Sequence, residues 1–172
     1  MKGLIFLAIG LLSLTTAAQQ PSAPPAQVAP AAATAEPRSF ISAAEIAERI
    51  AKADAAAKAG APLNAGPLLL EGSFKANMEY RNAPATSVNI HENDAELFVV
   101  IEGAGTMTLG GTLINPTRNG TNLSAAKAQG GTPYKLAKGD MVLVPENTAH
   151  SVTQVDGKLV LMSLHLPHPA QP

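Results

Sequence analysis

From Leu68 to Leu166, short apolar runs alternate with glycine, proline or asparagine at the spacing typical of a β-rich domain. The runs are three to eight residues long and have no helical segment between them. They predict nine strands, at Leu68–Glu71, Phe74–Arg81, Ala85–His91, Glu96–Glu102, Thr106–Leu109, Tyr134–Leu136, Met141–Val144, His150–Val155 and Leu159–Leu166. Many short strands without interleaved helices indicate a sandwich or a barrel.

Residues 40–59, ahead of these strands, have apolar positions at helical spacing. The stripe consists of Ile46, Ile50, Ala53 and Ala57. Ser42 with Glu45 three residues later is a capping box, and Gly60 followed by Pro62 ends the pattern. Because the stripe is narrow and mostly alanine, we expect this helix to pack on the outside of the domain.

Two connections between the predicted strands differ from the rest. Asp156-Gly157 is typical of a two-residue hairpin turn, so the chain is predicted to reverse there. Residues 111–133 contain Asn-Pro, Asn-Gly and Gly-Gly pairs and are predicted to form one long loop. Such loops in compact domains are either functional lids or disordered, and the sequence leaves both open.

The first residues are typical of a signal for export. Lys2 precedes the uncharged apolar stretch Leu4–Leu14, and Thr16-Ala17-Ala18 supplies small residues for cleavage. We therefore predict a cleaved signal peptide over residues 1–18 and a secreted or periplasmic protein. The apolar stretch is too short to span a bilayer, so no stable membrane insertion is expected after cleavage. A membrane anchor that is not cleaved is the alternative.

The remaining boundaries follow changes in composition. Residues 19–38 are rich in Ala and Pro with almost no charge, which predicts a linker. The helix and its connection occupy 39–67, the β-domain 68–166 and a tail 167–172.

The composition favours one globular domain. The chain has 172 residues, of which 46% are hydrophobic, enough for a core of its own. The net charge is −1, with lysines and arginines scattered along the chain, so nucleic-acid binding is not expected. Without cysteine, no disulfide contributes to the stability of an exported protein.

Two segments combine histidine with regularly spaced acidic, glycine and proline residues. They are Asn89-x-His91-x4-Glu96-x6-Gly103 and Gly139-x5-Pro145-x-Asn147-x2-His150-x3-Gln154. In order and spacing they resemble the two motifs of the cupin superfamily, G-x5-H-x-H-x3,4-E-x6-G and G-x5-P-x-G-x2-H-x3-N. The chain departs from the family at Asn89 for the first histidine, at Asn147 for a glycine and at Gln154 for an asparagine.

The resemblance covers residues 68–166 and implies an all-β fold, a cupin-type jelly-roll β-barrel with one N-terminal α-helix packed outside. It also implies that His91, Glu96 and His150 bind one divalent metal inside the barrel. Two histidines and one carboxylate suit Fe or Mn and leave coordination positions open, with Ni and Zn as further candidates.

Asn89 is the fourth candidate metal ligand. It lies two residues from His91 on a predicted strand, so both side chains leave the same face. An amide oxygen is a poorer ligand than imidazole, so the expected metal affinity is lower than with a histidine there. We interpret Glu92, Asn93 and Asp94 as a solvated turn, and His165 and His168 as histidines outside the site.

Two functions of different classes remain open. The first is an exported metal-binding cupin acting on a small molecule, by oxygenase, decarboxylase or isomerase chemistry. The second is a non-catalytic cupin that binds a small ligand or has a structural role and has lost tight metal binding, which the substitution at Asn89 favours. Many cupins pair through their sheets, so the resemblance also implies a homodimer.

Overall fold

The computed structural model describes residues 36–60 and 63–168 as one helix and eleven strands. The predicted signal peptide and most of the predicted linker lie outside the described residues. The elements are α1 (Ala43–Lys58), β1 (Leu63–Glu71), β2 (Phe74–Arg81), β3 (Val88–His91), β4 (Asp94–Leu109), β5 (Thr112–Leu113), β6 (Thr117–Asn119), β7 (Asn122–Ala125), β8 (Ala128–Gln129), β9 (Thr132–Ala137), β10 (Met141–Val144) and β11 (His150–Pro167). Within the described ranges, no helix is long and apolar enough to cross a membrane.

The long strands β4 and β11 form the centre of the fold. They pair antiparallel from Asp94 opposite Pro167 to Leu109 opposite His150. The other edges of this pair bind β10 and β9 on the β4 side, and β2 and β3 on the β11 side. The predicted all-β fold with one helix packed outside is confirmed.

Helix α1 begins and ends close to its predicted limits. The Ser42 hydroxyl accepts a hydrogen bond from the Glu45 backbone N–H at 3.2 Å, which satisfies one of the free donors of the first turn. The Glu45 carboxylate, however, binds the guanidinium groups of Arg38 and Arg49. The predicted capping box therefore forms through its serine, while its glutamate pairs with Arg38 before the helix and with Arg49 one turn further along it.

Strand β2 lies between the apolar core under the helix and the interior of the barrel. Its buried positions Ala76, Met78 and Tyr80 alternate with the half-buried Asn77, Glu79 and Arg81. Met78 and Tyr80 pack under α1 against Ile50 and Ala53, and the Tyr80 hydroxyl donates to Asp54 Oδ1 at 2.7 Å. The helix thus covers the apolar face of this strand, and the polar face is left for the barrel interior.

The predicted hairpin at Asp156-Gly157 is wrong. Strand β11 continues through these residues, and its pairing with β4 shifts there: Val155 lies opposite Gly105 and Leu159 opposite Gly103. Residues 156–158 are therefore a β-bulge opposite Ala104. The turn-forming pair fits because Gly157 has a positive φ of 77°, which a bulge can require as readily as a hairpin.

The prediction that residues 111–133 form one long loop is also wrong. Strands β6 and β7 form a hairpin in this segment, and β5 pairs with β8. Strand β7 then joins the main sheet by pairing with β3, with Asn122 opposite His91. The strands are two to four residues long and rich in polar residues, so they carry little of the apolar alternation that identifies strands in a sequence.

The motif glycine Gly103 lies where the bulge of β11 approaches β4. Its φ is 83°, and a Cβ atom there would lie 2.0 Å from the carbonyl oxygen of Lys158. Gly157 has a similar φ of 77°, but a Cβ atom added there would meet nothing within 4 Å beyond its own chain neighbours. An alanine at position 157 would therefore meet only the cost of the positive φ. An alanine at position 103 would meet that cost and a steric overlap with the backbone of β11 as well.

We expect Gly157→Ala to lower the free energy of unfolding by about 1 kcal/mol, the cost of a left-handed conformation for alanine. Gly103→Ala should cost about 3 kcal/mol or more, because the backbone of the bulge must also move. Urea unfolding of both variants measures the difference. Equal losses would contradict a packing role for Gly103.

Candidate metal centre

Three strand ends bring His91, Glu96 and His150 together. His91 is the last residue of β3, Glu96 lies near the start of β4, and His150 is the first residue of β11. His150 pairs directly with Asn89, and His91 lies two residues along from Asn89, so its side chain leaves the same face. The pairing of β3 with β11 therefore sets the two histidines side by side.

The two histidines meet at one oxygen of a buried carboxylate. His91 Nε2 lies 3.4 Å and His150 Nε2 lies 3.2 Å from Glu96 Oε2, and the ring centroids are 5.2 Å apart. Glu96 is 4% exposed and His150 is 6% exposed. One ligand atom from each residue lies within 4.8 Å of the others, so the three side chains could hold a metal ion.

The other nitrogen of each ring faces an acceptor. His91 Nδ1 lies 2.9 Å from the amide oxygen of Asn122 in β7, and His150 Nδ1 lies 3.3 Å from the carbonyl oxygen of Thr148. A carbonyl oxygen can only accept, so Nδ1 of His150 is the donor in this contact. Nε2, which faces Glu96, is the nitrogen that could exchange a proton for a metal ion, as in metal-binding histidines whose outer nitrogen is hydrogen-bonded.

The charge of the site depends on these contacts. Burial alone would raise the pKa of the Glu96 carboxyl, but the hydrogen bonds from His150 and His91 outweigh it and lower the pKa to about 2. The hydrogen bond to Glu96 raises the pKa of His91 against the opposing effect of desolvation. The carboxylate is therefore ionised over the neutral pH range, and protons and a metal ion compete for the same imidazole nitrogens.

The turn before β11 fixes the approach of His150. Asn147 has a positive φ of 56°, a conformation that asparagine adopts more readily than most residues other than glycine. This explains how asparagine can occupy the position of the glycine in the cupin motif that the sequence resembles. The Asn147 backbone N–H donates to the His91 carbonyl at 2.8 Å, and its side-chain amide donates to the Glu92 carbonyl at 3.3 Å. These hydrogen bonds join the second motif to the first.

His165 lies at the site, so the interpretation that placed it outside is wrong. Its Nε2 is 3.5 Å from Glu96 Oε1, and its ring is 4.6 Å from the ring of His91 in an edge-on arrangement. The alternation of residues along the strand indicates that His165 faces the interior. His165 is in phase with Leu159, Leu161 and Ser163, all of which are fully or almost fully buried. His168, in contrast, is half exposed, shares a hydrogen bond with Glu146, and lies outside the cluster.

The acidic residues around His91 have separate roles. Glu92 binds Arg118 of β6, with Arg118 Nη2 at 2.9 Å from its Oε1. Asp94 is the first residue of β4 and not part of a turn, and its Oδ2 lies 4.0 Å from His165 Nδ1. The predicted solvated turn therefore shrinks to Glu92 and Asn93. Asn89 lines the same cavity as the histidines, and its role as a metal ligand stays a prediction.

The cluster opens into a cavity of about 200 Å³ inside the barrel. Phe98, Met107 and Val152 supply apolar lining. Glu79 and Arg81 from β2 line the same cavity and form an ion pair, with Arg81 Nη2 at 2.8 Å from Glu79 Oε2. A small molecule in this space would contact both the histidine cluster and a charged wall.

No protein-family model and no curated protein matches the chain. Among solved structures, KdgF from Halomonas has a TM-score of 0.46 at 15% identity over 63% of this chain and 82% of its own. A cupin protein from Bacteroides fragilis has a TM-score of 0.45 at 13% identity over 65% of this chain and 83% of its own. The Cnp3 cupin domain of Schizosaccharomyces pombe has a TM-score of 0.43 at 16% identity, with 61% of each chain covered. These likenesses concern the fold alone.

Proposed function

We propose that the protein binds one divalent metal ion through His91, Glu96 and His150 and acts there on a small molecule held in the barrel cavity. The observation that carries this proposal is the convergence of two imidazole Nε2 atoms on one buried carboxylate oxygen. A buried carboxylate kept for stability alone is usually paired with arginine or lysine. Within residues 36–60 and 63–168, the ion-pair partners of Glu96 are histidines, which can exchange a proton for a metal ion.

The donor set fits a catalytic rather than a closed structural metal site. Two imidazoles and one carboxylate suit Fe, Mn, Ni or Zn and leave positions open toward the cavity. When bound, the metal would polarise an oxygen of the small molecule or bind dioxygen. The chain would supply the rest: Phe98, Met107 and Val152 limit the access of water, and the charged wall orients the molecule.

The charges around the cavity favour an anionic molecule. Glu79 and Arg81 cancel each other, and Glu96 offsets one of the two charges of a divalent ion, so the loaded cavity keeps one positive charge. Two contacts from Arg81, through Nε at 3.1 Å and Nη2 at 2.8 Å, go to the same oxygen of Glu79. A guanidinium has five N–H donors, so others are available to a carboxylate. We therefore propose a small carboxylic acid as the class of ligand.

Metal binding is tested with wild-type protein stripped of metal and refilled with Mn²⁺, Fe²⁺, Ni²⁺ or Zn²⁺. We expect one ion per chain, and at least about a hundredfold weaker binding by the variant His91→Ala/His150→Ala, because two of three donors are lost. Elemental analysis gives the stoichiometry, and competition with a chelator gives the affinity. His168→Ala is the matched control, since it removes a histidine outside the cluster. Equal retention by wild type and the double variant would contradict the proposal.

The anion preference is tested by calorimetry on metal-loaded protein, with pyruvate as a probe and its neutral amide as the comparison. Pyruvate should bind more tightly than the amide, and Arg81→Gln should weaken pyruvate about tenfold or more by removing a charge-assisted hydrogen bond. Arg49→Gln on the outer helix should leave both affinities unchanged. If Arg81→Gln binds pyruvate as wild type does, Arg81 is not the anion-binding group.

A non-catalytic ligand-binding role is the second candidate. It is favoured by Asn89, which stands where the family motif has a histidine and lowers the number of strong donors on β3. The two candidates share the cavity and differ in tight binding of a metal and in turnover of a bound molecule.

We propose, further, that the protein is exported with cleavage after Ala18. This rests on the charged, apolar and small-residue regions of residues 1–18. N-terminal sequencing of the protein recovered from cells should begin at or near Gln19, in the secreted or periplasmic fraction. A chain that begins at Met1 in the membrane fraction would contradict it.

A further inference from the structure

We infer that His165 is a third imidazole ligand of the proposed metal ion and replaces the donor that the chain lacks at Asn89. The inference rests on the proposed function and extends its donor set to His91, Glu96, His150 and His165. The replacement comes from a different strand, β11 rather than β3, so a comparison of motif spacing does not reveal it.

The backbone places His165 beside Glu96. The two residues are direct partners in the antiparallel pairing of β4 with β11, so their side chains leave the same face of the sheet. Leu159 and Leu161 belong to the core inside the barrel, whereas Val160 packs under the helix. His165 shares the phase of Leu159 and Leu161 and therefore faces the interior.

The spacing between each imidazole Nε2 and the Glu96 carboxylate is close to that of two ligands of one ion. Two atoms bound to one ion at about 2.1 Å are about 3.0–3.4 Å apart for angles between octahedral and tetrahedral values. The distances from Nε2 to the nearest oxygen of Glu96 are 3.2 Å for His150, 3.4 Å for His91 and 3.5 Å for His165. His165 faces Oε1 of Glu96 whereas the other two rings face Oε2, and the side chains whose donor atoms all lie within 4.8 Å of one another are His91, Glu96 and His150. Binding of one ion by all three rings would therefore require the His165 side chain to move toward His91 and His150.

The outer nitrogen of His165 gives a second, independent reason. Its Nδ1 is buried and has no hydrogen-bond partner within the described part of the chain. Leaving such an atom unsatisfied destabilises the folded state, so it needs a reason in the native protein. The nearest acidic oxygen is Oδ2 of Asp94, 4.0 Å away. Asp94 precedes Glu96 by two residues and extends from the same face of β4.

A small movement of Asp94 would allow it to accept a hydrogen bond from His165 Nδ1–H when Nε2 binds the ion. His165 would then match the other two rings, whose outer nitrogens face Asn122 and Thr148. Edge-on packing of His165 against His91 explains the ring contact alone. It does not explain why Nε2 faces Glu96 while Nδ1 is left beside a carboxylate.

The number of histidine ligands can be counted in protein loaded with Co²⁺. Each bound imidazole contributes one exchangeable Nδ1–H resonance, shifted far from the diamagnetic range by the paramagnetic ion. We expect three such resonances in wild type and two in His165→Ala. His165→Ala should also bind Co²⁺ and Zn²⁺ at least about tenfold more weakly, and His168→Ala should match wild type in both measurements.

Two further variants separate the loss of a donor from a loss of structure. In the His165→Ala background, Asn89→His should restore the third resonance and part of the affinity, because it returns an imidazole to the motif position. If instead Asn89→Ala weakens binding and His165→Ala does not, Asn89 is the fourth donor and the inference is wrong.

Failure of the two proposals can be told apart. Wild-type protein that binds no metal overturns both the proposed function and this inference. Wild-type protein that binds metal with two shifted resonances, unchanged in His165→Ala, overturns the inference alone.

Discussion

A carboxylate held inside a barrel must be compensated by positive charge, and this requirement governs the arrangement of the site. Glu96 is 4% exposed, and an uncompensated charge at such a position would cost several kcal/mol. The chain meets the requirement with imidazoles, which are neutral or cationic according to what else is bound. Histidine can therefore compensate the carboxylate with protons when no metal is bound and release them to a metal ion, which an arginine partner cannot do.

The strand pairings position these imidazoles, because each pairing determines which residues lie opposite each other. The pairing of β4 with β11 sets His165 opposite Glu96, and the pairing of β3 with β11 sets His150 opposite Asn89 and near His91. The turn at Asn147 adds hydrogen bonds to the backbone at His91 and Glu92. The geometry of the cluster therefore follows from the strand pairings and from the turn at Asn147.

The sequence predicted the parts of this arrangement that depend on local chemistry. Helix α1 and most strands follow from period and capping, and the clustering of His91, Glu96 and His150 follows from the resemblance of the two motifs to those of cupins. His165 was missed because motif spacing says nothing about residues outside the motifs, although its phase with Leu159 and Leu161 was readable. The bulge at Asp156-Gly157 was mistaken for a hairpin because both need a positive φ at glycine, and only long-range pairing separates them. Strands β5 to β8 were not predicted because they are short and have few buried apolar residues, so only their backbone pairing identifies them as strands.

Strand β2 carries its apolar residues toward the helix and its polar residues toward the cavity. The two faces of β2 thus belong to two regions with separate roles. The core under the helix stabilises the fold, and the cavity on the other side contains polar side chains. Substitutions at Glu79 or Arg81 change the lining of the cavity, whereas Met78 and Tyr80 make their apolar contacts on the other face of the strand. In an evolving lineage, such a strand would let ligand preference diverge while the stability of the barrel stays nearly constant. The outer helix, remote from any chemistry, is what makes that independence possible.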